Sequence, residues 1–350
     1  MNYEAVNLGF LVSFLELFEA SEKPVITAHF SPDDDSIASV LSLYEILSGL
    51  YPDKNTRIIY TGSAGGRHKI FKNYEKIEFV EDIADHLSGA DLLIMLDGSK
   101  FFRFSYKSEA LANVPKTICI DHHASPADNF TLSLVDSKAT SVAEIIYKTF
   151  ESKFTLTPDL AKIFLLGILG DTGNLSFIRP DQTEVFLIVK KLVDSAVVGI
   201  DEFKSTYSTM SKRVFILIQE LIKNTDYKEI AGWPSVQYAF VDNDFIKSGS
   251  FSDEEVSASS HIYMANYLRT VEGYGWGFVI TPREKGECRI SARSLPSSVN
   301  VRVLFERVGL GGGHDRASGG AFKKEGEELI FAKDALAKML DWLSKNPEIK

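Results

Sequence analysis

The chain has 350 residues, 45% of them hydrophobic and 25% charged, and a formal net charge of −10. That length predicts two domains with ordinary globular cores, and the acidic balance excludes a protein that coats long duplex nucleic acid, which needs a basic surface to displace counterions. The two cysteines, Cys119 and Cys288, are too few and too far apart for a disulfide framework or a thiolate zinc site, so a reducing, cytoplasmic setting is expected. The start Met1-Asn2-Tyr3-Glu4 lacks the basic region of a signal peptide, and no apolar run reaches spanning length, so no membrane is expected as a partner.

Leu8, Leu11, Phe14, Leu15 and Phe18 recur at helical spacing and predict an amphipathic opening helix that stops at Glu22-Lys23-Pro24. Residues 25–28 read as a strand running into His29-Phe30-Ser31-Pro32-Asp33-Asp34-Asp35. Three adjacent carboxylates beside an imidazole at a buried strand end need a cationic partner. A helix follows over 36–48; an aspartate cap at its start would occupy one of the three carboxylates and leave two unexplained. Residues 57–60 form a second strand candidate, and Gly62-Ser63-Ala64-Gly65-Gly66, which lacks a nucleotide-binding fingerprint, reads as a turn.

The pattern of the first strand then recurs. The apolar run at 92–96 stops at Asp97-Gly98, the run at 117–120 stops at Asp121-His122-His123, and the run at 163–170 stops at Asp171-Thr172-Gly173. Apolar segments that end in Asp or His are what a parallel α/β sheet produces when its site lies beyond the carboxyl ends of the strands. Helical patterns at 36–48 and 141–151 supply the crossovers. The run at 163–170 fits either a strand or a helix.

Beyond residue 183 two helical stretches, 183–198 and 209–226, lead to the boundary-type sequence Ala231-Gly232-Trp233-Pro234. The expected organisation is a domain over 1–195, a helical linker over 196–232 and a smaller α/β domain over 233–350. In the last of these, a strand at 236–241 and a helix starting at Asp253-Glu254-Glu255 precede a hairpin of 276–280 with 288–293 across Lys285-Gly286. A short helix over 301–308 ends at Gly309, a loop Gly311-Gly312-Gly313-His314-Asp315-Arg316 follows, and a final amphipathic helix covers 328–344. Such a glycine loop is either a flexible connector or a place where backbone amides meet an anion, and the adjacent histidine and arginine favour the anion.

The candidate ligands His29, Asp33, Asp35, Asp97, His122 and Asp171 are all oxygen or imidazole donors, a set suited to manganese, magnesium or iron more than to structural zinc. Taken singly, His29 reads as a hydrogen-bonded core histidine, Asp171 as a helix cap and Asp97 as a turn residue. Their joint occurrence at the ends of apolar runs is what points to metal. Six ligands are too many for one ion with an open position and suit two ions sharing an aspartate, ~3.5–4 Å apart, as in phosphoryl transfer.

These residues resemble the DHH/DHHA1 phosphoesterase family, whose name is read in Asp121-His122-His123, and the resemblance spans nearly the whole chain. His29-x-x-x-Asp33-x-Asp35, Asp97, Asp121-His122-His123 and Gly170-Asp171-Thr172-Gly173 look like its four motifs; Gly311-Gly312-Gly313-His314 with Ala317-Ser318-Gly319, and Ser291-Ala292-Arg293-Ser294, look like those of its second domain. The resemblance implies an α/β fold with a parallel-sheet first domain and the active site in the cleft between domains. It implies a metal-dependent phosphodiesterase or phosphatase acting on short oligoribonucleotides, linear dinucleotides, phosphoadenosine phosphate (pAp) or cyclic dinucleotides. An inorganic pyrophosphatase or exopolyphosphatase, and a non-catalytic nucleotide-binding protein, are the alternatives.

Two divalent ions, manganese foremost, are the implied cofactors: one on His29, Asp33 and Asp97, the other on Asp35, Asp97, His122 and Asp171. The resemblance places the catalytic residues at Asp97, Asp121 and His123, with Asp121 supporting the histidines. It places substrate contacts at Ser291, Arg293, Gly312, Gly313, His314 and Arg316. The oligomeric state stays open, a homodimer included. Two departures stand out: Ser31 and Asp34 replace the asparagine and glycine usual in the first motif, and Asn174-Leu175-Ser176 lengthens the spacing to Phe177.

Overall fold

Aliphatic runs of four to six residues separated by helices pair in parallel when each connection crosses back over the sheet. The computed structural model, which describes residues 3–30, 32–62, 66–124, 126–207, 209–283, 286–323 and 329–347, shows this arrangement in the first of two units. The units are Met1–Thr209 and Met210–Lys350, and the division between them falls within the segment 196–232. Among the described residues no helix is long and apolar enough to cross a membrane.

The first unit holds strands β1 (Pro24–Ala28), β2 (Arg57–Thr61), β3 (Ile77–Val80), β4 (Leu92–Leu96), β5 (Lys116–Asp121) and β6 (Leu132–Val135). They form one sheet in the order β3-β2-β1-β4-β5-β6, every pair parallel. The order runs outward from β1 in one direction, then resumes from β4 in the other, so the crevice beyond the carboxyl ends of β1 and β4 is the topological switch point where such folds bind ligands. Alternation along the strands sends Ile26, Ile58, Ile94 and Ile118 to one core and Val25, Ile59, Leu93 and Met95 to a smaller one on the opposite face. The opening helix Tyr3–Ala20 joins the larger core, with Phe14 edge-on to Phe150 at 5.1 Å between ring centroids.

The run at 163–170 lies in a helix, Pro158–Asp171, started by a Thr157 side chain that accepts from the Leu160 amide and by proline in its first turn. It looks strand-like in sequence because it is buried along nearly all its length and so lacks a polar stripe. The helix packs on Asp34–Leu50, and Gly167 makes the approach close. A Cβ there would stand 2.5 Å from the Cβ of Ala143 and 2.8 Å from Oδ1 of Asp35.

The second unit holds β7 (Asp226–Lys228), β8 (Val236–Phe240), β9 (Trp276–Pro282), β10 (Cys288–Ser294), β11 (Gly311–His314) and β12 (Ala317–Phe322), in the order β11-β12-β10-β9-β8-β7. Among its described strands only β8 and β9 pair in parallel. The β9–β10 hairpin matches the expected pairing, and of its turn Lys285 lies outside the described residues. The glycines at 311–313, expected in a loop, instead form strand β11 against β12. Gly311 and Gly313 have φ of +153° and +152°, and a Cβ on either would lie 2.4 Å and 2.7 Å from the carbonyl oxygens of Gly319 and Ala317. Glycine is therefore what lets this hairpin close, a backbone role that residue type alone does not distinguish from a loop.

Gly167→Ala is expected to lower stability by about 1–3 kcal/mol through overpacking against Ala143 of the helix Val142–Phe150 and against the helix Asp34–Leu50. Urea unfolding of the purified variant measures this directly, and an unchanged midpoint would mean that the helices give way without cost.

Candidate active site

The register of three adjacent strands sets the site. Ala28 pairs with Leu96, and Leu96 with Ile120. The next residue on each strand, His29, Asp97 and Asp121, therefore stands in one row at the carboxyl edge, and the Asp97 amide donates to the Ile120 carbonyl at 3.0 Å. Asp97 turns there with φ +59°, a left-handed conformation that aspartate tolerates better than most residues.

His29 has Nδ1 2.6 Å from the Phe30 carbonyl, which directs Nε2 toward Oδ2 of Asp97 at 3.1 Å and Oδ2 of Asp33 at 3.5 Å. Burial opposes its cation, but the Asp97 and Asp33 carboxylates outweigh this and hold its pKa well above the ordinary imidazole value. Asp33 has two tasks, one per oxygen. Oδ1 caps the helix Asp34–Leu50 by accepting from the Ser36 amide at 2.9 Å, and Oδ2 faces His29. The cap and the ligand geometry are thus compatible in a single residue.

Asp35 is fully buried, and the amides of Val142 and Ala143 donate to its Oδ2 and Oδ1 at 2.7 and 2.9 Å. Those amides open the helix Val142–Phe150, whose N-terminus suits a carboxylate. Burial, with repulsion from Asp171 and Asp97, still raises the Asp35 pKa well above the carboxylate range. Asp171, at the C-terminal end of its helix, puts Oδ2 3.1 Å from Nε2 of His122. Burial foremost, and the neighbouring carboxylates, push Asp171 upward, while the His122 pKa is also raised because Asp171 and Asp97 overcome its own desolvation.

Asp121 accepts from the amides of His122 and His123 at 2.8 and 3.2 Å and from Nδ1 of His123 at 2.7 Å, all on Oδ1. Burial works against this carboxylate, and the His123 bonds keep its pKa below the usual range. The ring it supports is that of His123.

Among the described residues, three groups of side chains offer ligand atoms within 4.8 Å of one another: His29, Asp33 and Asp97; Asp35, His122 and Asp171; and Asp97, His122 and His123. Asp97 is common to two of them. Its Oδ1 is buried without a hydrogen-bond partner, with His122 and His123 nitrogens 3.6 Å away. A buried acceptor with no donor costs free energy that a cation removes, so the residues present fit a metal. The Asp/His cluster of this unit can bind metal.

Asp34 faces away from this cluster. Its Oδ1 accepts from Arg67 at 2.6 Å and lies 2.7 Å from Nε2 of the buried His68, both in the 3₁₀ turn Gly66–Ile70. The additional carboxylate thus has its own partners, a guanidinium and an imidazole. Neither Arg67 nor His68 carries a sequence signal beyond following the glycine-rich segment, of which residues 63–65 lie outside the described set, as does Ser31.

In the second unit Ser291 and Arg293 lie two apart on β10 and share a face of its sheet. The Arg293 Nη1 donates to the Ala292 carbonyl at 2.9 Å, and burial pushes its pKa down to about 10. Arg316 donates to the carbonyls of Leu295, Pro296, Ser298 and Val299 and so holds the segment after β10 in place. Gly312, Gly313 and His314 belong to β11; the His314 side chain lies outside the described set.

The family description "DHH family, N-terminal domain" matches residues 23–168 and "DHHA1 domain" matches residues 235–345. The bifunctional oligoribonuclease and PAP phosphatase NrnA of Bacillus subtilis is 26% identical over 322 residues, 90% of this chain and 94% of that protein. The cyclic-di-AMP phosphodiesterase PdeA of Listeria monocytogenes is 25% identical over 319 residues, 85% of this chain and 44% of that protein. Among solved structures, an exopolyphosphatase-related protein from Bacteroides fragilis superposes with a TM-score of 0.79 at 22% identity, covering 96% of this chain and 97% of that one, a likeness of fold. The two matched domains lie on the two units in the order their names require, and the chain belongs to the DHH/DHHA1 family of phosphoesterases.

Proposed function

We propose that this protein is a two-metal phosphoesterase that hydrolyses short nucleotide substrates: short oligoribonucleotides and linear dinucleotides to mononucleotides, with pAp and cyclic dinucleotides in the same class. The observation that carries the reading is Asp97, whose two oxygens face different ligand groups, Oδ2 toward His29 and Oδ1 toward His122 and His123. His29, Asp33 and Asp97 would hold one ion, and Asp35, Asp97, His122 and Asp171 the other, with manganese the first choice and magnesium or iron next. Two divalent ions in such a site polarise the phosphoryl oxygens and lower the pKa of water near them.

The chain's own groups supply the rest. Asp121 fixes the orientation of the His123 ring through Nδ1, 2.7 Å from its Oδ1, which leaves Nε2 as the nitrogen available to the reacting phosphate. The Val142 and Ala143 amides hold Asp35 in one orientation, and the Asp33 cap does the same at the start of its helix. Ser291, Arg293, Gly312, Gly313 and His314 take the remainder of the substrate, and Arg316 acts through the segment it anchors. This second set of polar groups favours a nucleotide over inorganic pyrophosphate or polyphosphate.

A manganese-supplemented panel of a dinucleotide, pAp, a cyclic dinucleotide and pyrophosphate, with products separated by chromatography, tests the reading; turnover of pyrophosphate alone would overturn it. Asp97→Ala is expected to cut hydrolysis by more than about a hundredfold while leaving the circular dichroism spectrum unchanged, since a shared ligand outweighs an outer-shell contact. Full activity in that variant would remove Asp97 from the mechanism.

Against its own desolvation, Asp171 and Asp97 push the His122 pKa up to about 10, so this imidazole carries a proton at pH 7 in the metal-free protein, and His29 is shifted in the same direction. Ligation needs the neutral ring. Manganese binding is therefore expected to release protons at pH 7 and to tighten as pH rises. Titration calorimetry in buffers of different ionisation enthalpy reads the proton count, and a count of zero contradicts the protonated cluster.

A further inference from the structure

The second unit contains two partly buried cations that have no carboxylate partner among the described residues. Arg293, near the end of β10, lies opposite Gly277 of β9, and Gly277 lies opposite Gln237 of β8. Gly277 leaves room that Leu268 fills: a Cβ at this glycine would fall 2.8 Å from Leu268 Cδ1. Leu268 is buried, and the next residue, Arg269, is held over the same strands. Its amide donates to Oε1 of Gln237 at 3.3 Å, and its Nη1 donates to the carbonyl of Ser294, the neighbour of Arg293, at 3.4 Å.

Both guanidinium groups therefore gather at the C-terminal end of β10. Among the described residues each donates only to backbone carbonyls, Arg269 to Leu268 and Ser294 and Arg293 to Ala292. Desolvation lowers both pKa values, and the Arg269 charge lowers that of Arg293 further, with no acidic group acting in the opposite direction. Arg269 also sits at φ +71°, a conformation that costs an arginine free energy. Two like charges brought together, out of water and at the expense of backbone strain, call for an anion with enough charge and acceptor oxygens to meet both. Planar guanidinium forks suit phosphate in particular.

We propose that Arg269 and Arg293 form a paired-guanidinium subsite for a phosphomonoester of the substrate, with Arg269 the residue that makes a terminal phosphate part of what the enzyme selects. The inference rests on the nucleotide reading above and adds to it a specificity residue, Arg269, which favours those members of the substrate class that carry a non-scissile phosphomonoester besides the bond that is cut.

The test compares a 5′-phosphorylated and an unphosphorylated dinucleotide as substrates of the full-length, manganese-loaded protein. Arg269→Gly removes the guanidinium and suits the positive φ, so the fold is kept; Arg269→Lys keeps the charge without the fork. Arg269→Gly is expected to raise KM for the phosphorylated substrate about ten- to hundredfold, the worth of a lost charge-assisted contact, with kcat retained. The unphosphorylated substrate should change by less than about twofold, and Arg269→Lys should recover part of the loss. An equal effect on both substrates, or none on either, overturns the subsite.

Calorimetric titration with adenosine monophosphate and with adenosine needs no turnover. Wild type should bind the monophosphate more tightly, and Arg269→Gly should lose most of that margin. If the wild type cleaves neither dinucleotide, the substrate reading fails while this titration still decides the subsite: an unchanged margin overturns it, and a lost margin supports it.

Discussion

Everything in the first unit depends on the alignment of Ala28, Leu96 and Ile120 across three neighbouring parallel strands. Because that register is held by buried aliphatic side chains on both faces, a slip by one residue would invert both cores, and the polar residues just past the strands inherit its precision. Asp97 is the clearest case. Its backbone is pinned by the bond to the Ile120 carbonyl, its φ is left-handed, and its carboxylate is buried between imidazoles. The apolar core thus carries the cost of holding like charges together, which the local sequence could not do alone.

The aspartate triplet shows how one turn can separate three identical groups. Successive residues at a helix start point about 100° apart, so Asp33, Asp34 and Asp35 meet different surroundings. Asp33 faces the Ser36 amide and His29, Asp34 meets Arg67 and His68, and Asp35 enters the core onto the first amides of another helix. Repulsion within the triplet is relieved by giving each carboxylate its own partners. The proximity of Gly170 to Asp34, where a Cβ would lie 2.5 Å from that of Asp34, shows that the second helix is fitted to this turn as well.

How much of this was legible in the sequence follows from where the information lies. Strands β1, β4 and β5 were readable because fully buried parallel strands are continuous apolar runs, and the polar residues that end them mark the functional edge. The edge strands β3 and β6 were not, since Ile77-Glu78-Phe79-Val80 and Leu132-Ser133-Leu134-Val135 are four residues long and partly exposed. The helix Pro158–Asp171 was ambiguous for the opposite reason, burial on nearly every side. Candidate ligands could be listed from residue type, but the partners that orient them could not: the Val142 and Ala143 amides are backbone groups 107 and 108 residues from Asp35.

The same limit governs the second unit. Gly311-Gly312-Gly313 reads as a flexible or anion-binding loop until its pairing with β12 shows that two of these glycines are demanded by carbonyl oxygens of the opposite strand. Glycine type signals that a Cβ is excluded, without saying whether a ligand or the chain itself excludes it. Arg269 was silent in the sequence for a related reason: nothing in Tyr267-Leu268-Arg269-Thr270 differs from a helix end until Gly277, paired with Gln237 on the adjacent strand, opens a space for Leu268. Long-range packing, not local pattern, brings that cation beside Arg293. A charge gathered in this way, with no carboxylate partner among the described residues, is what motivates the proposed anion subsite, and it is information that only the folded chain contains.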